Sequence, residues 1–139
     1  MINFFYEEVE LDLNEKALAG WIRKVIVSES RKEGELSFIF CNDNYLLKIN
    51  QEFLNHNTFT DIISFDNSLG EELHGDIFIS TERVKENASI YLVSDEEELK
   101  RVIIHGVLHL CGYKDKTDED KTLMRQKEDE KLLMFHVEH

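Results

Sequence analysis

Hydrophobic and polar positions follow two periods along this chain, and together they predict nine elements. Ile2 to Tyr6 is an apolar run of strand length. Asn14 stands as an N-cap before Leu18, Trp21, Ile22, Val25 and Ile26, whose i, i+3, i+4 spacing predicts an amphipathic helix. That helix is expected to end at a turn over Lys32-Glu33-Gly34, followed by a strand over residues 35–41. Asn42 then caps a helix with Tyr45, Leu46, Ile49 and Phe53 on one face.

Residues 55–60 (NHNTFT) read as a polar loop, 61–65 (DIISF) as a strand, 67–75 as a loop and 76–80 (DIFIS) as a strand. Thr81 opens a helix through Ala88 and Tyr91. Ser94 starts the next, with Glu97 in the capping-box position and acidic residues 95–98 at the favourable end of the helix dipole. Leu99, Val102, Ile103, Val107, Leu108 and Leu110 follow, and Gly112 is the expected C-cap. A charged helix over about 117–135 closes the chain. The order β-α-β-α-β-β-α-α-α predicts the α+β class: a single domain over residues 1–139, with a small mixed four-stranded sheet packed with about five helices.

Composition narrows the class. At 139 residues there is room for one domain, and no apolar run approaches the ~18 residues a membrane span needs. The first ten residues, MINFFYEEVE, carry acids where a signal peptide needs bases. Cys41 and Cys111 make no disulfide framework and fit a reducing cytoplasm. The net charge of −13 argues against a generic nucleic-acid binder. The absence of proline has no functional reading.

The chemistry is concentrated in HGVLHLCGYKD, residues 105–115. His105 and His109 are four apart on a predicted helix, which puts both imidazoles on one face as two-histidine zinc sites require. Gly112 lets the chain turn back, and Asp115 arrives where a third ligand sits in H-x-x-x-H-x-x-G-x-x-(H or D) metalloenzymes. Three protein ligands leave a fourth position for water, whose pKa the metal lowers. Residue 106 is Gly, where the H-E-x-x-H proteases carry their general base. Cys111 and Tyr113 are expected to pack, and acidic runs 95–98 and 118–120 to be solvated helix starts.

This segment resembles the signature of the YbeY family of single-strand-specific endoribonucleases, H-G-x-L-H-L-x-G-Y-D-H. Thr60-Asp61-Ile62-Ile63-Ser64-Phe65 resembles the family's T-D-V-L-S-F strand, and Gly75-Asp76-Ile77-Phe78-Ile79-Ser80 its G-D-I-x-I-S strand. The resemblance covers essentially the whole chain. It implies a cytoplasmic, metal-dependent hydrolase of RNA that acts in 16S rRNA 3′-end maturation and ribosome quality control. It implies one zinc per chain, or another divalent metal, bound by His105, His109 and Asp115, which act catalytically through that metal. The implied partners are rRNA in the ribosome or pre-ribosome and ribosome-associated proteins, with no membrane.

The sequence departs from the family pattern at two places. Asp115 replaces the usual His, and Lys114 stands where Asp is usual. The family's arginine before the T-D strand falls on Leu54, which leaves His56 as the nearest candidate cation. Substrate-binding candidates are therefore His56, Ser64, Lys114 and Lys116, with Asp61 bordering the cleft. Two other readings compete: a metalloprotease of the H-x-x-x-H-x-x-G-x-x-D type, and a non-catalytic ribosome-assembly factor with a structural metal. Lys114 and Lys116, with Lys100 and Arg101 on the preceding helix, are the local positive charge expected to offset the acidic balance.

Overall fold

In the computed structural model, which describes residues 1–54 and 60–136, nine elements follow the predicted order. They are β1 (Ile2–Tyr6), α1 (Glu15–Ser28), β2 (Lys32–Cys41), α2 (Asp43–Leu54), β3 (Ile62–Asp66), β4 (Glu72–Ser80), α3 (Thr81–Tyr91), α4 (Asp95–Leu110) and α5 (Asp118–His136). The caps act as their residue types dictate. Asn14 Oδ1 accepts from the Ala17 N–H, Asn42 Oδ1 from the Tyr45 N–H and Ser94 Oγ from the Glu97 N–H. The α3 helix opens at Thr81 as expected, with Ser80 as its N-cap, its Oγ accepting from the Arg83 N–H.

The sheet order is β1-β2-β4-β3, with β1, β2 and β4 parallel and β3 antiparallel at the edge. Strand alternation gives the sheet two apolar faces. Leu36, Phe38, Phe40, Ile77 and Ile79 face the main core with α1 and α4. Cys41, Ile63, Phe65 and Phe78 face α2 through Leu46. Phe4 stacks on Phe38 and Tyr6 on Phe40, each pair with ring centroids 5.6 Å apart.

Two expectations are corrected. The turn lies before residue 32, where Ser30 takes a left-handed backbone with φ 58°, and Lys32-Glu33-Gly34 already belong to β2. Gly34 marks a register shift in β2 and not the turn; a Cβ there would lie 2.4 Å from the Leu73 carbonyl oxygen. Similarly, β4 begins at Glu72, inside the stretch expected to be loop. His74 compensates for the polarity of this region: its Nδ1 accepts from the Glu35 N–H and its Nε2 meets Glu72 Oε1 at 2.7 Å.

Glycine also sets how closely α4 approaches the sheet. Gly106 is buried, and a Cβ there would lie 3.0 Å from both Ile62 Cδ1 and Ile77 Cγ2. The helix therefore seats its Gly106 side directly on β3 and β4, and turns His105 and His109 toward α5.

Candidate metal centre and cleft

The end of α4 is fixed by a Schellman motif. Gly112 has φ 102°, its N–H donates to the His109 carbonyl and the Tyr113 N–H donates to the Leu108 carbonyl. This reversal brings Asp115 back over α4. Asp115 Oδ2 lies 3.3 Å from His105 Nε2 and 3.4 Å from His109 Nε2. One ligand atom from each residue lies within 4.8 Å of the others. Nitrogen and oxygen ligands at 2.0–2.1 Å from a tetrahedral zinc sit about 3.3–3.4 Å apart. The two nitrogen–oxygen edges have that length, and two imidazoles with one carboxylate are a zinc donor set, so the residues fit the ion.

Behind His105 stands a carboxylate from α5. His105 Nδ1–H donates to Glu128 Oε2 at 2.6 Å, and Glu128 Oε1 accepts from Arg101 Nη1 at 3.0 Å. Arg101 Nη2 also donates to Asp129 Oδ1 at 2.7 Å. Glu128 is only 5% exposed, so both of its oxygens are spent inside the protein. Burial alone would pull the His105 imidazole pKa down. The Glu128 hydrogen bond, together with the charges of Glu128, Asp115 and Asp61, reverses this and holds it above the ordinary histidine value.

The three donors open onto a cleft of about 680 Å³ between β3, α3, α4 and α5. Ile62, Ser64 and Asp66 alternate onto the α4 side of β3 and form one wall. Asp61, just before β3, lies in the same wall; burial pushes its carboxyl pKa up, against the pull of the His105 charge. Lys121 and Arg125 line the α5 side and make no ion pair among the described residues.

The sequence matches the family described as Endoribonuclease YbeY over residues 3–136. The chain belongs to the YbeY family. Among its relatives, the Endoribonuclease YbeY of Flavobacterium psychrophilum is 62% identical over 138 residues, covering 99% of this chain and 98% of that one. The Flavobacterium johnsoniae protein of the same name is 63% identical and covers 99% of both chains. A solution structure from Thermotoga maritima superposes with a TM-score of 0.70 at 25% identity, over 97% of this chain and 89% of that one.

On this YbeY fold the expected site residues separate. His105, His109 and Asp115 converge, and Ser64 and Asp61 line the cleft with them. Lys114 and Lys116 are exposed on either side of Asp115 and are not among the cleft-lining residues. His56 lies outside the described residues. Lys100 and Arg101 are not free cations: Lys100 Nζ sits 3.7 Å from the Phe135 ring centroid and pairs with Glu96, and Arg101 is held by Glu128 and Asp129. Glu128, Lys121 and Arg125 were missed from sequence because they lie on a helix with no clear apolar stripe. Cys111 and Tyr113 pack as expected, with the Tyr113 hydroxyl donating to Glu29 Oε1 at 2.7 Å.

Proposed function

We propose that the chain is a metal-dependent endoribonuclease, selective for single-stranded RNA, that acts in rRNA maturation and ribosome quality control. The observation that carries this reading is the His105–His109–Asp115 cluster, in which Asp115 Oδ2 stands 3.3 and 3.4 Å from the two imidazole Nε2 atoms and all three donors lie within 4.8 Å of one another. Membership of a family whose relatives are named Endoribonuclease YbeY supplies the substrate class.

His105, His109 and Asp115 would hold one zinc or another divalent ion, which supplies Lewis acidity toward a phosphodiester and an acidified water. Glu128 fixes the His105 ring so that Nε2 faces the cleft, and Arg101 fixes Glu128. Arg125 and Lys121 attract the substrate phosphates, and the Ser64 hydroxyl is placed to donate to one. Lys114 and Lys116 stand at the rim beside Asp115 and add long-range attraction.

No helix among the described residues is long and apolar enough to cross a membrane. Both cysteines are buried and unpaired, which suits a reducing cytoplasm. With so few free cations in the cleft and a net charge of −13, binding of free RNA is expected to be weak and salt-sensitive. Ribosomal partners would then assist targeting. A metalloprotease is disfavoured because the position of its general base is Gly106, pressed against Ile62 and Ile77.

The test is cleavage of a single-stranded RNA oligonucleotide by the full chain, with and without chelator, beside a duplex control and a casein assay. Chelator-sensitive cleavage of the single strand alone is expected. His109→Ala should abolish cleavage in vitro and rRNA maturation in cells while the protein still associates with ribosomes. A fully active His109→Ala protein would instead mark a non-catalytic assembly factor. Products ending in 2′,3′-cyclic phosphate would assign attack to the RNA 2′-hydroxyl.

A further inference from the structure

We infer that the α3 end of the cleft is a nucleobase pocket selective for unpaired guanine, in which Tyr91 stacks on the base and Glu98 accepts its Watson–Crick N–H groups. The ligand class rests on the endoribonuclease reading; the pocket itself rests on two side chains with no internal role.

Glu98 is the first of these. It lies in the first turn of α4, is 5% exposed and lines the cleft, yet its carboxylate accepts no hydrogen bond from any described residue. The other buried glutamate, Glu128, is fully provided for: it takes His105 and Arg101. Nearly buried Glu29 likewise takes Lys131 and Tyr113. Asp61, across the cleft, receives Asn87 Nδ2 at 3.5 Å. Burial pushes the Glu98 carboxyl pKa up and the Asp61 charge adds to this, against Arg101 and Arg125. The Glu98 carboxylate therefore faces the cleft with its acceptors unused by the protein, and a ligand seated there would meet them with its own donors.

Tyr91 is the second. It follows Asn87 by four residues on α3, so the two share a helix face, and both line the cleft. The residue is 57% exposed, an aromatic side chain at the rim. Glu98 precedes His105 by seven residues, two helical turns or about 10 Å along α4. That is about the reach from a phosphate to a neighbouring base.

The choice of base follows from donor geometry. Guanine presents N1–H and N2–H₂ side by side, matching the two oxygens of one carboxylate. Adenine and cytosine offer one amino group beside a ring acceptor, and uracil one N–H between two carbonyls. In a duplex the guanine donors are already paired with cytosine, so only an unpaired guanine can use Glu98.

The experiment titrates the four nucleoside 5′-monophosphates into the full-length protein, followed by calorimetry and NMR, with thermal melting to confirm that each variant is folded. GMP is expected to bind at least ~10-fold more tightly than UMP. Glu98→Gln, which keeps the shape but offers one acceptor and an opposing amino group, should reduce that ratio below ~3-fold. Tyr91→Ala should weaken all four nucleotides by roughly 10-fold, and Tyr91→Phe should restore them. Equal binding of the four nucleotides, or an undiminished ratio in Glu98→Gln, overturns the pocket. A parallel assay on single-stranded RNA separates the two readings. Cleavage without guanine preference, unchanged in Glu98→Gln, removes the pocket and leaves the nuclease. Glu98-dependent GMP binding without RNA cleavage removes the nuclease and leaves the pocket.

Discussion

His105 Nδ1 donates to Glu128 Oε2 across 2.6 Å, joining the middle of α4 to the middle of α5. The bond fixes which imidazole nitrogen is left to face Asp115, and it makes that nitrogen a better ligand. Glu128→Ala is therefore expected to lower zinc affinity by about 10–100-fold, measured by competition with a chromophoric chelator. Glu128→Gln keeps an acceptor oxygen and should lose less. Equal affinity in wild type and Glu128→Ala would remove Glu128 from the site.

That relationship also shows where sequence reading stops. His105, His109 and Asp115 were legible because helix period and the Gly112 reversal are local rules. Glu128 was not, because it lies 23 residues away and the inward stripe of α5 is Met124, Glu128, Lys131 and Phe135. Two of those four are charged, so α5 shows no apolar periodicity to reveal which side faces inward. The early starts of β2 and β4 were hidden for a related reason. Lys32 and Glu33 pair with Glu72 and Leu73 in register, but three of these four are charged, and Gly34 imitates a turn. The apolar stripes placed the start of α1 and both ends of α4 within a residue or two, while the end of α1 came four residues before the expected turn.

Asp115 supplies the one carboxylate of the cluster. Asp115→Ala leaves two histidines, and zinc affinity should fall by more than about 100-fold, a larger loss than that of an outer partner. Asp115→His offers the family's usual donor at the same turn and should retain a stoichiometric ion. Metal analysis of the purified variants decides this; unchanged metal content in Asp115→Ala would refute the assignment.

A buried ion pair locks α1 to α5. Lys131 Nζ lies 2.8 Å from Glu29 Oε2 and donates to Ser28 Oγ at 3.0 Å, with Lys131 only 2% exposed. Trp21 Nε1 donates to the Lys131 carbonyl beside it. Lys131→Met removes the most buried donor to Glu29, leaving Tyr113 and Lys127 on its carboxylate, and should destabilise by about 1–3 kcal/mol in urea unfolding. The pair also sets an acid limit. Burial pushes the Glu29 carboxyl pKa up, but hydrogen bonds from Lys131 and Tyr113, with the charges of Lys131 and Lys127, bring it below the ordinary glutamate value. A depressed folded-state pKa gives stability that is complete above the unfolded value of 4.5 and is lost as pH falls through the folded one. Glu29→Gln should therefore be less stable at pH 7 and lose less on acidification below pH 4.5 than wild type.

Gly106→Glu would recreate H-E-x-x-H, and the packing predicts that it yields an unstable protein and not a protease. A Cβ at this position already lies 3.0 Å from Ile62 Cδ1 and Ile77 Cγ2, and Ile77 is fully buried. Alanine gains helix propensity of about 1 kcal/mol but overpacks the contact by about 1–3 kcal/mol, so Gly106→Ala should lose no more than about 2 kcal/mol. Glutamate adds a carboxylate with no donor among those isoleucines, and the loss should exceed about 3 kcal/mol. Urea midpoints for the three proteins give the ranking, and a casein assay on the glutamate variant should stay blank. A Gly106→Glu protein as stable as wild type would mean that α4 can lift from the sheet. The approach that turns His105 and His109 toward α5 would then not be set by this glycine.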